Sequence, residues 1–292
     1  MDRITNRANL QICSDGGYGH YIMSEHSLTA PEITVALETL GLTVDEVGHV
    51  MSHIAAETKG LLLYGSRARD DYEASSDFDI LRYTSSWQSP TFKAGRVSVS
   101  SYTREQLESA SGTLFGTHLR RDGRVLLEIG DGLTQLIDGI QPADPAQLLA
   151  RVIQYSTILV QPDAVKAAHF GGMVRLARYL LRTAVYASAM VDGEPCFSVR
   201  QLAKRFHEPR LATLLASDPE ITGPPSVDLL EELISRLIDV VGPFPKHDYG
   251  SIEALAIATW DTDRNLATLA IRAGSEGDQD SIDYSALPKV LL

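Results

Sequence analysis

Residues 61–81 read Leu-Leu-Leu-Tyr-Gly-Ser-Arg-Ala-Arg-Asp-Asp-Tyr-Glu-Ala-Ser-Ser-Asp-Phe-Asp-Ile-Leu, and this stretch decides the fold. Its first four residues form a short apolar run that a glycine ends, which predicts a buried strand. Gly65-Ser66 then turns the chain, and we expect residues 67–69 to begin a short helix. Free backbone N–H groups near that turn would form an anion-binding site.

A second strand is predicted over residues 76–81. Side chains alternate between the faces of a strand, so Asp77 and Asp79 point one way, and Phe78 and Ile80 point into the core. Two carboxylates that face a phosphate-binding turn suit Mg²⁺, which takes its other ligands from water and substrate phosphates. A surface strand with two solvated acids is the alternative. The Gly-Ser turn about ten residues earlier favours the metal site.

This pattern resembles the nucleotidyltransferase superfamily of DNA polymerase beta-like folds, whose signature is an apolar strand, Gly-Ser and then Asp-x-Asp. The spelling Gly-Ser-Arg-Ala-Arg over residues 65–69 resembles minimal nucleotidyltransferases and aminoglycoside adenylyltransferases. The resemblance implies an α+β protein in which a small mixed β-sheet nucleotidyltransferase domain precedes an α-helical bundle domain. The expected divisions are a partly helical N-terminal extension, the nucleotidyltransferase domain, the helical domain and a tail: residues 1–42, 43–142, 143–273 and 274–292.

The resemblance also implies an activity that uses ATP or another NTP with Mg²⁺. A nucleoside monophosphate, AMP by preference, would pass to a hydroxyl acceptor while pyrophosphate leaves. The acceptor would be an aminoglycoside, an RNA 3′ end or a protein hydroxyl, as in nucleotidyltransferase toxins and antitoxins. Asp77 and Asp79 are the expected catalytic and metal-binding pair. Expected nucleotide-binding residues lie in the turn and on a later helix: Gly65, Ser66, Arg67, Arg69, Arg200 and Lys204.

Several of these basic residues have a second interpretation. Arg67 pairs with phosphate or faces water. Arg200 and Lys204 share one helical face, which either turns toward the cleft or is simply solvated. The same alternatives hold for Arg175, Arg178 and Arg182 on the preceding helix, where basic groups facing the cleft would neutralise phosphates.

The third strand, predicted over residues 96–103 by alternation, departs from the family pattern. The matching strand of the family carries a third carboxylate, and Ser98 stands at that position here. A carboxylate from another strand is one replacement, and Glu128 at the end of a strand over residues 124–128 is the candidate, unless it is an exposed strand-end acid. Otherwise the attacking group needs little base help, or the chain is a catalytically impaired nucleotide-binding or regulatory module.

From about residue 144 the pattern becomes helical. Asp144-Pro145 is a cap followed by proline at the first helical position. Apolar residues at helical spacing predict a helix from there. Four further helices are predicted over residues 173–190, 198–207, 226–241 and 251–273. Residues 85–93 are expected to be a loop, and the glycine cluster of residues 15–20 is interpreted as a plain loop because it lacks the strand and lysine of a P-loop.

Composition narrows the classes of function. The 292 residues include 26 Lys and Arg against 38 Asp and Glu, a net charge of −12, which argues against patch-driven nucleic-acid binding and favours a cationic small substrate. A helix-turn-helix over residues 29–57 would present Asp45 and Glu46 to DNA phosphates, so DNA binding is not expected. Two distant cysteines, no membrane-length apolar stretch and no apolar signal region predict a cytoplasmic protein. The sequence leaves the oligomeric state open.

Overall fold

A computed structural model describes residues 27–54, 57–74, 76–85, 91–216 and 223–275. The fold class is confirmed: a mixed five-stranded sheet with helices on both faces is followed by a helical half. The glycine cluster of residues 15–20 and the tail beyond residue 275 lie outside the described residues. Within the ranges described, no helix combines the length and apolar character needed to cross a membrane.

The strands lie in the order β3-β4-β2-β1-β5 across the sheet. The central strand β2 is antiparallel to β1 and parallel to β4, while β5 is antiparallel to β1. The two edges are therefore formed by β3 and β5. The strand bounds are β1 Thr58–Tyr64, β2 Phe78–Thr84, β3 Thr91–Ala94, β4 Val97–Tyr102 and β5 Arg124–Glu128.

Strand β3 corrects the end of the loop predicted over residues 85–93, of which residues 86–90 lie outside the described residues. It forms an antiparallel hairpin with β4 through a turn at Gly95 and Arg96, where Gly95 has a positive φ of 58°. Thr-Phe-Lys-Ala is too short and too mixed in polarity to give a strand pattern by itself. Pairing along β4 supplies the backbone hydrogen bonds that the isolated segment does not predict.

Helices on both faces bury the alternating apolar residues of the sheet. One face packs Leu61, Leu63 and Ile80 against α1 and α2, and the other packs Leu62 and Leu81 against α3, α4 and α5. Because both faces of β1 are covered, its run of residues 61–64 is continuously apolar rather than alternating. The helix bounds are α1 Ala30–Glu38, α2 Val44–Ile54, α3 Arg104–Ser109, α4 Leu114–Asp122 and α5 Gly132–Gly139.

The helical half is built around α8, a helix of 22 residues. Apolar side chains of α6, α11 and α13 join those of α8 in one core. The predicted helix over residues 251–273 is two helices, because Asp263 accepts a hydrogen bond from the backbone N–H of Leu266 at 3.0 Å and starts a new helix. The bounds are α6 Pro145–Ser156, α7 Asp163–Ala168, α8 Phe170–Val191, α9 Val199–Arg205, α10 Pro209–Leu214, α11 Val227–Val241, α12 Ile252–Thr259 and α13 Arg264–Gly274.

Candidate functional site

The site begins where β1 ends. Gly65 is buried and has a φ of +76°, a conformation that side chains other than glycine rarely adopt. A Cβ atom on Gly65 would overlap Oδ2 of Asp79 and stand 3.3 Å from its Cγ. The end of the first strand and the carboxylate of the second are therefore in direct contact, which only glycine permits.

The Gly65-Ser66 turn is one helical turn rather than the start of a helix, which corrects the prediction for residues 67–69. The backbone N–H of Arg69 donates to the carbonyl of Gly65 at 3.3 Å, and that of Asp71 donates to the carbonyl of Ser66 at 3.1 Å. Asp70, with a φ of +59°, closes the turn in the left-handed conformation. Because the turn closes after five residues, there is no helix macrodipole behind Ser66.

Four residues form a row across the sheet beside the turn. Tyr64 on β1 pairs with Asp79 on β2, Asp79 pairs with Ser98 on β4, and Ser98 pairs with Lys93 on β3. Directly paired residues share a face of the sheet. Ser98 therefore lies beside Asp79, at the expected position of the third carboxylate.

Lys93 brings a cation to this row. Its Nζ atom is 2.9 Å from Oδ2 of Asp77, and the two side chains are 61% and 41% exposed. Lys93 lies in the segment of residues 85–93 that the sequence predicts to be a loop, so it was not predicted as a site residue. The cross-strand partner of a residue becomes visible only when the hairpin register is known.

Arg67, a predicted nucleotide-binding residue, contacts the loop that joins the Gly65-Ser66 turn to β2. Its Nε donates to the carbonyl of Ser76 at 2.9 Å, and its guanidinium lies 3.8 Å from the ring centre of Phe78 and 4.5 Å from that of Tyr72. These contacts hold the loop against the start of β2. A phosphate role for Arg67 stays a prediction.

Arg69, another predicted nucleotide-binding residue, lies in a cluster of polar side chains. Its Nη1 donates to Nε2 of His118 at 3.1 Å, and its guanidinium lies 3.2 Å from Asp71 and 3.5 Å from Asp122. Burial raises the pKa of the Asp122 carboxyl above its ordinary value, while Arg121 and Arg69 oppose that rise. His118 and Asp122 were not predicted as site residues, since their sequence context is an ordinary helix.

The helical half reaches the turn through α9. Nη2 of Arg200 donates to the carbonyl of Asp71 at 2.7 Å, and Nη1 pairs with the carboxylate of Glu73. Phe197, just before α9, stacks on His118 with ring centres 4.9 Å apart. Arg200 thus lies beside the loop that joins β1 to β2, here called the motif loop, whereas Lys204 is exposed on the same helix.

The basic residues of α8 do not line the cleft as a group. Arg178 is buried and its Nε donates to the carbonyl of Leu214 at 2.9 Å, and Arg182 donates to the carbonyl of Leu215. Both arginines cap the end of α10. Arg175 donates to the carbonyl of Ser275 at 3.4 Å, so phosphate neutralisation by this face is not supported.

Glu128, the predicted replacement for the third carboxylate, lies far from Asp79 in the sheet. It pairs with Gly60 near the start of β1, four residues from Tyr64, which places it at the opposite end of the sheet from Asp79. Its carboxylate accepts the backbone N–H groups of Leu133 and Thr134, each at 2.9 Å. Glu128 caps α5, and the structure does not bring it to Asp77 and Asp79.

The donor set fits Mg²⁺ only with help from a substrate. Two carboxylates and the Ser98 hydroxyl offer hard oxygen atoms at one edge of the turn. Among the residues that the structure describes, no group of three or more His, Cys, Asp or Glu side chains has the arrangement of a metal site. Mg²⁺ is commonly held by one or two carboxylates plus substrate phosphates, and that mode suits this pair.

No protein-family model matches the chain, and no curated protein sequence matches it. A nucleotidyltransferase-like protein from Exiguobacterium sibiricum 255-15 is a structural match with 15% sequence identity and a TM-score of 0.28, over 79% of this chain and 81% of that one. A TM-score this low does not establish a shared fold.

Proposed function

We propose that this protein is a nucleotidyltransferase that transfers a nucleoside monophosphate from an NTP, ATP by preference, to a hydroxyl acceptor. The contact between Gly65 and the Asp79 carboxylate carries the proposal. It joins the close-approach turn to the acidic strand in one site, as the sequence motif requires. Asp77 lies two residues earlier, just before β2, and its carboxylate contacts Lys93 of the same cross-strand row.

Each residue has a role in this proposal. The absence of a side chain at Gly65 lets the backbone approach the triphosphate, and the Ser66 hydroxyl and neighbouring N–H groups hold phosphate oxygens. Asp77 and Asp79 would hold Mg²⁺, which when bound neutralises charge that develops on the phosphates. The acceptor hydroxyl attacks the α-phosphate and loses its proton to water as pyrophosphate leaves, because the Ser98 hydroxyl is a poor base.

The net charge of the protein favours one class of acceptor over the others. An excess of acidic residues, with a net charge of −12, favours a cationic small molecule such as an aminoglycoside. An RNA 3′ end and a protein hydroxyl are the other acceptors to test. The chain's own hydroxyl groups belong to the last class.

The test is the fate of labelled ATP. The full-length protein is incubated with Mg²⁺ and ATP labelled at the α-phosphate, together with aminoglycosides, total tRNA or no acceptor, and the labelled product is identified. Asp77→Asn and Asp79→Asn should each abolish transfer, whereas Asp239→Asn, an exposed aspartate on α11, should leave it unchanged. Full activity of Asp77→Asn would overturn the proposal.

A non-catalytic nucleotide-binding module is the second candidate. Two observations favour it: Ser98 stands at the position of the third acid, and Lys93 already pairs with Asp77. This candidate predicts nucleotide binding that depends on Gly65 without release of pyrophosphate from any acceptor mixture. The same incubation, followed by pyrophosphate detection and an equilibrium binding measurement, separates the two candidates.

A further inference from the structure

The β3–β4 hairpin makes the site of Asp77 and Asp79 less negative than a site with a third carboxylate would be. In place of a third acid, the row holds the Ser98 hydroxyl and, one strand further out, the Lys93 ammonium. Two carboxylates and one ammonium group make a site that is much less negative than three carboxylates. Such a site attracts an isolated divalent cation weakly, since the nearby positive charge opposes it.

The ion pair between Lys93 and Asp77 is weak enough for each partner to take another ligand instead. Both side chains are more than one-third exposed, and the Nζ to Oδ2 distance is 2.9 Å. Exposed pairs of this type contribute about 1 kcal/mol or less, so a stronger ligand for either partner can separate them. A metal–nucleotide complex offers both ligands at once, a cation for Asp77 and phosphate oxygens for Lys93.

We infer that Lys93 makes metal binding depend on the nucleotide. Without nucleotide, its ammonium holds Asp77 and competes with the divalent cation. When the metal–nucleotide complex enters, Asp77 turns to the metal and Lys93 turns to the phosphates. This inference rests on the proposed function and adds a specificity-determining residue to it: the site discriminates against free metal and in favour of the metal–nucleotide complex.

The exchange has a reciprocal signature. If the nucleotide releases Asp77 for the metal, the two ligands must favour one another to the same degree. Removing the ammonium should therefore strengthen binding of the free cation and weaken binding of the metal–nucleotide complex. A residue with only a structural role would not move the two affinities in opposite directions.

Two binding measurements on the full chain test the inference. Free Mn²⁺ is titrated by its electron paramagnetic resonance signal without nucleotide. The complex of Mg²⁺ with α,β-methylene-ATP, which resists cleavage at the bond that transfer would break, is titrated by calorimetry. We expect Lys93→Gln to bind Mn²⁺ about two- to fivefold more tightly, and the metal–nucleotide complex about tenfold more weakly.

Two control variants distinguish the direct contact of Lys93 with Asp77 from a general change in the electrostatic field at the site. Lys93→Arg keeps the charge and should stay close to the natural protein in both titrations. Arg96→Gln removes a cation from the same hairpin turn, but Arg96 pairs with Glu46 rather than with Asp77. At about 0.15 M salt, where charges are screened over roughly 8 Å, Arg96→Gln should shift both affinities much less than Lys93→Gln.

The possible failures are distinct. Unchanged affinities in Lys93→Gln, or equal shifts in Arg96→Gln, would overturn the role of Lys93 while the proposed function stands. If Asp77→Asn and Asp79→Asn leave Mn²⁺ and nucleotide binding unaffected, the proposed function fails, and the inference with it. Thermal melting of each variant shows whether it is folded, and Lys93 is exposed enough that its replacement should not unfold the protein.

Discussion

The carboxylate of Asp79 lies against the Cα atom of Gly65, in the space that any side chain at position 65 would fill. Asp79 pairs with Tyr64, the last residue of β1, and Gly65 directly follows Tyr64. The contact explains why the motif needs glycine for two separate reasons. One is the backbone conformation, with a φ of +76°, and the other is the space that the acid occupies.

Gly65→Ala should therefore be more damaging than an ordinary glycine replacement. Gly41 offers a matched control, because its φ is +79° and a Cβ there would meet nothing within 4 Å. We expect Gly41→Ala to lower the free energy of unfolding by about 1–2 kcal/mol through backbone strain alone. Gly65→Ala should lower it further and should displace Asp79, so that nucleotide binding is lost. Urea unfolding and calorimetry check the two effects, and equal behaviour of the variants would contradict the contact.

Glu128→Ala should affect stability and leave the chemistry intact. Its carboxylate accepts the N–H groups of Leu133 and Thr134 in the first turn of α5, so its loss leaves two backbone donors without that partner. By analogy with other caps, the free energy of unfolding should fall by about 1–2 kcal/mol. Transfer activity per folded molecule should be unchanged. Glu105→Ala, at an exposed acid of α3, is the control for stability, and loss of activity in folded Glu128→Ala would restore its catalytic role.

Arg200→Ala and Lys204→Ala should differ, although both residues lie on α9. Arg200 bonds the carbonyl of Asp71 and pairs with Glu73, so its removal should lower the free energy of unfolding by about 1 kcal/mol. Lys204 is exposed, and its replacement should change that free energy by less than about 0.5 kcal/mol. Urea unfolding measures both. A Lys204→Ala variant with weakened nucleotide binding would support the predicted phosphate role for that lysine.

Glu46 should give stability a defined dependence on pH. Hydrogen bonds from Arg96 and from the Thr43 backbone lower the pKa of the Glu46 carboxyl from its ordinary value of 4.5 to about 2. A lowered pKa in the folded state means that the stabilisation is present above pH 4.5 and is lost as the pH falls toward about 2. We expect Glu46→Gln to be about 1 kcal/mol less stable than the natural protein at neutral pH.

The measurement is urea unfolding of both proteins at several pH values across that window. Their difference in the free energy of unfolding should shrink as the pH falls. A difference that stays constant down to the acid limit would show that the Glu46 charge contributes nothing.

The parts of the fold that sequence could predict are those with a strong local pattern. The apolar run of β1 and the alternation of β4 predict strands because the buried faces require those side chains. Caps such as Thr103 and Asp144 marked helix starts correctly, since the capping hydrogen bonds are formed within three residues. The Gly65-Ser66 turn and the pair Asp77 and Asp79 could also be predicted, because they form a pattern within one short stretch of sequence.

What sequence could not predict depends on contacts between distant segments. Strand β3 forms because it pairs with β4, so the contact between Lys93 and Asp77 could not be predicted from the sequence. Glu128 looked suitable as an acid at a strand end, but the antiparallel direction of β5 puts that end on the far side of the sheet. The contact of Arg69 with His118 on α4 joins residues far apart in the chain, so it could not be predicted, and the nucleotide-binding role of Arg69 stays a prediction.

The bridge from α9 to the motif loop means that the two halves are not interchangeable modules. The loop's Asp71 carbonyl and the ring of His118 find their partners, Arg200 and Phe197, more than seventy residues further along the chain. A chimera that grafted this sheet onto a foreign bundle would have to recreate those two contacts before its turn could keep the same shape. A recombinant of this chain should keep the shape of the turn only when the sheet and the helical half come from the same parent protein.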